Sequence, residues 1–219
     1  MTLSREEVAA GFPGELKSFG ELVRSLDEKA WDTPSRCEGW TVGDIARHVV
    51  GDWADVVAGR LDGLGTPEVT QRQVEERRGR SPEELAAELD QAAAVAVQIM
   101  DGIDDDAWKG PSPGDYDGTL GSGVEALYYD AYLHADDMRA SLGQPSERGP
   151  GLRAAVSHLA EQLEKAGWGP ATLAFEGVGE VEVGGGGTRI EGDALSFVLA
   201  ATGRLDPAQA GFDVVNVYA

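Results

Sequence analysis

Thr41-Val42-Gly43-Asp44-Ile45-Ala46-Arg47-His48-Val49-Val50-Gly51-Asp52-Trp53 is the stretch whose reading decides the fold. Thr41 is a helix N-cap, and Ile45, His48, Val49, Asp52, Trp53 and Val56 recur at the spacing of one helix face. Upstream, Trp31 to Trp40 reads as a loop. Before it, the capping box Ser4-x-x-Glu7 leads into Val8, Phe12, Leu16, Phe19 and Val23 at helical spacing. Pro13 and Gly14 predict that this first helix is kinked or begins later. Downstream, Leu61 to Arg80 is polar, charged and without period, and reads as a long loop. Ser81-Pro82-Glu83-Glu84 starts a third helix with a stripe of Leu85, Leu89, Ala92, Ala96 and Ile99. Asp101 to Gly118 reads as a solvated loop, since its acid run lacks the alternating ligands and terminal Glu of an EF-hand. A fourth helix runs from about Val124 to Leu142, with Gly143 as its C′ residue.

Beyond a linker at Gln144 to Gly151 the pattern changes. A helix carries Leu152, Val156, Leu159 and Leu163. Strand-like Thr172–Glu176, Glu180–Val183 and Thr188–Glu191 follow, then an apolar helix from Asp193 to Thr202 and a terminal strand at Phe212–Tyr218. The four glycines Gly184–Gly187 form a turn, not a phosphate loop, because no Gly-Lys-Ser/Thr closes them. The expected fold class is α+β, with a four-helix bundle over residues 1–145 and a smaller α/β domain over residues 150–219.

Acidic side chains number 39 against 18 basic, a formal charge of -21. Such a field repels phosphate backbones and anionic membranes, so the sequence predicts no nucleic-acid and no membrane partner. The 42% hydrophobic content, with five each of Trp, Tyr and Phe, is enough for a packed core. A single cysteine, Cys37, excludes an intramolecular disulfide and any multi-cysteine metal cluster. With no apolar leader and no apolar run of spanning length, the expected location is the cytoplasm.

The three histidines direct attention to the chemistry. His48 lies on the apolar face of the second helix, and His134 lies one turn after Asp130 on the fourth. A carboxylate and an imidazole at i, i+4, joined by an imidazole from another helix, make a three-ligand set with an open fourth position. Zinc would accept it, and iron(II), nickel or manganese would fit as well. The plainer reading is chance spacing, with hydrogen-bonded core histidines. Asp52 and Asp137 read as acceptors for the ring N–H groups or as ion-pair partners. Tyr128, Tyr129 and Tyr132 read as core, with a pocket wall as the alternative. Cys37 reads as packed entry to the second helix rather than as a nucleophile. His158 falls off the apolar stripe and reads as surface, and Gln71–Arg80 as a solvated segment rather than a flap.

Trp31-x-x-Pro34-Ser35-x-Cys37-x-Gly39-Trp40-Thr41-Val42-x-Asp44-Ile45-x-x-His48-Val49 resembles the signature of the mycothiol-dependent maleylpyruvate isomerase family, within the DinB-like metalloproteins. Tyr129-Asp130-Ala131-Tyr132-Leu133-His134-Ala135-Asp136-Asp137 resembles that family's second metal motif, and Thr202-Gly203-Arg204 a turn of its smaller C-terminal domain. The resemblance implies a DinB-like bundle holding a divalent metal, usually zinc, through His48, Asp130 and His134. It also implies a low-molecular-weight thiol such as mycothiol as cofactor, and Arg204 on the substrate side as a catalytic residue. Asp130 stands where the family commonly has Glu, so its carboxylate must reach the metal on a shorter side chain.

The implied activity is cis–trans isomerisation, or S-transfer, through a metal-bound thiolate acting on an unsaturated or electrophilic small-molecule acid. The expected assembly is a monomer or homodimer. Two rival readings keep the scaffold: a thiol-independent lyase, cyclase or rearrangement enzyme, and a non-catalytic binding or stress protein.

Overall fold

A computed structural model describes residues 3–218. The chain divides into a helical unit, Ser4–Glu147, and a C-terminal unit that begins at Arg148. In the first unit the helices are α1 (Arg5–Arg24), α2 (Glu28–Trp31), α3 (Val42–Val57), α4 (Pro67–Glu76), α5 (Pro82–Asp101), α6 (Asp105–Lys109) and α7 (Leu120–Ser141). The second holds α8 (Pro150–Lys165), β1 (Ala171–Phe175), β2 (Gly179–Val183), β3 (Thr188–Gly192), α9 (Ala194–Ala201) and α10 (Pro207–Ala210). The fold is therefore α+β, and none of the described helices is long and apolar enough to cross a membrane.

The four long helices of the first unit are α1, α3, α5 and α7. Helix α1 packs on α5 and α7, and α3 packs on α4, α5 and α7. Val8, Phe12, Leu16, Phe19 and Val23 of α1 are all buried, and each such large side chain contributes about 1.5–3 kcal/mol of burial free energy. Phe12 stacks on Trp53 of α3 with ring centroids 5.6 Å apart and planes 4° from parallel. The capping box fixes the start of α1 at Arg5, and Pro13 sits inside the helix without ending it, so the later start is corrected. In α5 it is Met100, not Ile99, that joins the buried stripe, and Ile99 is 47% exposed.

Helix α4 corrects the expected loop at Leu61 to Arg80. Thr66 caps it, Pro67 occupies its first turn, and its buried side chains are Gln73 and Val74. Because it buries a single apolar side chain beside Gln73, no apolar period announces it. Arg77, just past its end, is pinned to α5 by a 2.8 Å bond from Nη2 to Glu88. The short α6 likewise interrupts the expected loop at Asp101 to Gly118 and buries Trp108.

In the C-terminal unit the sheet order is β2-β1-β3, with β1–β2 antiparallel and β1–β3 parallel. Helix α8 packs on β2 and α9. Phe212–Tyr218 does not form the expected strand. Phe212 and Val214 are buried, and Phe212 packs on Phe175 and Phe197 at centroid distances of 6.0 and 5.3 Å. The alternation that suggests a strand comes from aromatic packing, not from ladder pairing. His158 is 5% exposed, not on the surface, because α8 buries residues on nearly all sides.

Candidate metal centre

Helices α3 and α7 bring His48, Asp130 and His134 together. The start of α3 is fixed by a reciprocal cap. Thr41 Oγ1 accepts from the Asp44 amide at 3.2 Å, and the Asp44 carboxylate accepts from the Thr41 amide at 3.1 Å. Two turns on, His48 is 4% exposed, and its ring lies edge-on to Trp40 with centroids 5.4 Å apart. The i, i+4 spacing on α7 places Asp130 Oδ1 3.4 Å from His134 Nε2, and Asp130 Oδ2 reaches to 3.6 Å from His48 Nε2. The two imidazoles stand nearly perpendicular, 86° apart, with centroids 5.2 Å from each other.

The outer edge of each ring is also held. His48 Nδ1 is 2.9 Å from Gln73 Oε1, and His134 Nδ1 is 3.0 Å from Asp137 Oδ2. Asp137 is buried and pinned by Arg36, whose Nη2 lies 2.9 Å from Oδ1. Asp52 is not the acceptor for the His48 ring N–H. Its Oδ2 lies 3.7 Å from Nε2, on the Asp130 side, and its Oδ1 accepts from Gln73 Nε2 at 2.7 Å.

These residues pass a test of fit for a divalent metal. One atom from each of His48, Asp130 and His134 lies within 4.8 Å of the others. A tetrahedral zinc with bonds of about 2.0–2.1 Å sets neighbouring donors about 3.4 Å apart. The observed carboxylate-to-imidazole separations of 3.4 and 3.6 Å match that value. On its shorter side chain Asp130 therefore reaches both imidazoles.

Electrostatics agree with the geometry. Burial disfavours a charged His48 ring, but the Asp130 and Asp52 carboxylates overcome it and hold the pKa above its ordinary value. His134 is held well above the ordinary value, against burial, by Asp130 and Asp137 and by its contact with Cys37. Burial pushes the Asp52 carboxyl up to about 6, although the His48 ring acts to lower it. The cluster draws positive charge to itself, as protons on the rings or as a cation.

The other candidates have the following surroundings. Tyr128, Tyr129 and Tyr132 are buried, and the Tyr132 hydroxyl donates to Glu147 O at 2.8 Å, so they belong to the bundle core. Cys37 touches the back of His134. Its Sγ is 3.9 Å from Nδ1 and 3.4 Å from Asp137 Oδ2, to which the thiol donates. Arg204 lies in the C-terminal unit just beyond α9, where its Nη1 donates to Thr202 O at 3.4 Å. Gln73 is the residue that sequence reasoning missed. Thr66-Pro67-Glu68 carries the same N-cap and Pro signal as Ser81-Pro82-Glu83 and was enough to find its helix.

Comparison with known proteins follows the same lines. The family model described as "Mycothiol maleylpyruvate isomerase N-terminal domain" matches residues 12–139. None of the curated proteins matches the sequence. A crystal structure of the mycothiol-dependent maleylpyruvate isomerase superposes with a TM-score of 0.65 at 16% identity, covering 93% of this chain and 90% of that one. A mutant of the same enzyme gives 0.61 at 16% identity, with the same coverage of 93% and 90%. At that identity the likeness shows a shared fold.

Proposed function

Because the chain belongs to the mycothiol maleylpyruvate isomerase N-terminal domain family, we propose that it is a metal-dependent, thiol-using enzyme that isomerises, or transfers sulfur to, a small unsaturated acid. The observation that carries this reading is the convergence of His48, Asp130 and His134 on one space at metal-ligand separations. His48 and His134 would hold a divalent metal, zinc by choice, through Nε2, and Asp130 would hold it through its carboxylate. When bound, such a metal supplies a positive charge that keeps a thiol such as mycothiol in its thiolate form at neutral pH.

Reversible addition of a thiol across an activated double bond, rotation and elimination place three demands on the chain. The metal-facing nitrogens must be fixed, and Gln73 and Asp137, which lie within hydrogen-bond distance of the two Nδ1 atoms, would do this from behind. Charge is strengthened where water is kept away, as at the buried His48 ring beside Trp40. The substrate acid and its developing enolate need a cation, the role proposed for Arg204. The same residues serve S-transfer when a leaving group departs in place of the thiol. The proposed setting is cytoplasmic, with the protein acting as a monomer or homodimer on a small molecule.

Elemental analysis of the purified protein, with an isomerisation assay run with and without thiol, tests the reading. A bound transition metal near one per chain is expected, lost in His48→Ala together with thiol-dependent activity. A protein without metal, whose His48→Ala variant behaves as wild type, refutes the proposal. Activity that survives without thiol selects a lyase or rearrangement on this scaffold.

A further inference from the structure

Gln73 links the proposed metal centre to a layer of charge behind it. Asp55 is 0% exposed, and both of its carboxylate oxygens meet arginines. Oδ1 accepts from Arg60 Nε at 2.8 Å and from Nη2 of the same side chain, and Oδ2 accepts from Arg72 Nη2 at 2.5 Å. Burial alone would raise the Asp55 carboxyl, but bonds from Arg72, Gln73 and Arg60 bring it below its ordinary value. Asp55 is therefore charged, and a charged carboxylate can only accept hydrogen bonds.

That fixes which way the Gln73 amide points. Its Nε2 donates to Asp55 Oδ2 at 2.9 Å and to Asp52 Oδ1 at 2.7 Å, which uses both of its N–H bonds. Rotated by half a turn, the amide would set its oxygen against two carboxylates. So Oε1 faces His48 Nδ1 at 2.9 Å, and an amide oxygen only accepts. The proton must sit on Nδ1, which leaves the lone pair of a neutral ring on Nε2, the nitrogen facing Asp130 and His134. Gln73 is itself 0% exposed, and Gly51 of α3 admits it. A Cβ there would lie 2.5 Å from Gln73 Cβ.

We propose that a chain running inward from Arg60 and Arg72 through the buried Asp55 and Gln73 locks His48 in its Nδ1–H tautomer, so that Nε2 is presented ready to bind a metal. Gln73 acts here as a positioning residue. It differs in kind from Asp137, the partner of His134. A carboxamide cannot take up the ring proton, whereas a carboxylate can.

Long-range proton–nitrogen NMR of the metal-free protein, in alkaline buffer where the rings are neutral, reads the tautomer directly. In the wild type His48 Nδ1 should give a pyrrole-type shift and Nε2 a pyridine-type shift. Gln73→Met keeps the volume and removes the acceptor. It should abolish that preference and weaken Zn2+ binding, measured by chelator competition, by about 10–100-fold. A wild-type His48 with its proton on Nε2 overturns the proposal, and that result needs no variant to fold. A folded Gln73→Met protein with an unchanged His48 spectrum overturns it equally. The affinity arm rests on the metal reading above. A wild type that binds no Zn2+ would defeat that reading, while the spectrum still judges the tautomer.

Discussion

Gly51→Ala is the substitution whose outcome the packing of α4 on α3 dictates most closely. A Cβ at position 51 would lie 2.5 Å from Gln73 Cβ, 2.8 Å from Gln73 Cγ and 3.1 Å from Arg77 Nη1. Carbon atoms rest about 3.5–4.0 Å apart, so α4 must retreat by about 1 Å or more. Overpacking of this kind costs about 1–3 kcal/mol. Alanine in a helix interior returns about 1 kcal/mol over glycine, leaving a net loss of up to about 2 kcal/mol. The same retreat carries the 2.9 Å bond between Gln73 and His48 beyond hydrogen-bonding range. Gly14→Ala is the matched control. It is also a helical glycine, yet a Cβ there has nothing within 4 Å. It should gain about 0.5–1 kcal/mol. Urea denaturation of both variants, with zinc competition on each, makes the measurement. Gly51→Ala should be the less stable by about 1–3 kcal/mol and should alone lose metal affinity. If both alanines stabilise the protein equally, the close approach of α4 and everything argued from it is refuted.

Glu15 lies partly buried on α1, and burial, with Glu147 adding to it and Arg139 opposing, raises its pKa from 4.5 to about 7. Between those values the folded protein holds a proton that the unfolded chain has lost, so stability falls as pH rises from 4.5 to about 7 and is flat above. The loss is at most about 3 kcal/mol, and Glu15→Gln should abolish this slope and be the more stable at pH 8 in urea melts. Tyr128 is 1% exposed, and its hydroxyl has no hydrogen-bond partner among the described residues. Tyr128→Phe should therefore leave the urea midpoint unchanged or raise stability by about 1 kcal/mol, where loss of a bonded hydroxyl would lower it.

The helices that carry the candidate metal ligands were legible because they obey an apolar period. The stripe of Ile45, Val49 and Trp53 places His48 inward, and the four-residue step from Asp130 to His134 sets two donors on one face. What lay hidden obeys no such period. Helix α4 buries the Gln73 amide beside a single valine, and Arg77 just past its end buries a guanidinium, so hydropathy reads the segment as solvated. Gln73 is 25 residues from His48, a separation that no local pattern spans. The same limit explains Cys37, whose contact with His134 joins a loop to a helix 97 residues away. Phe212 and Val214 show the converse error, where a period of two arises without a strand. Periodicity reports which side of an element is dry. It does not report which polar groups are dry together.

That distinction suggests how the site divides its work. The outer layer consists of carboxylates matched to arginines: Asp55 with Arg60 and Arg72, and Asp136 and Asp137 with Arg36. The acids are buried, so truncating Arg36, which Asp136 and Asp137 share, leaves charge without compensation and costs about 3–5 kcal/mol, whereas Asp55 keeps a second arginine when either of its two is lost. The inner layer crowds two imidazoles and Asp130 into one space, with Asp52 alongside, and its own burial works against the charged rings. Truncating an inner histidine relieves that crowding, so it should cost metal affinity far more than it costs fold stability. Truncating an outer arginine should do the reverse, with affinity falling only as the layer it supports loosens. The two histidine-to-partner bonds, to Gln73 and to Asp137, are where the layers meet. Substitutions there should show both losses at once, and a double-mutant cycle across either bond would separate them.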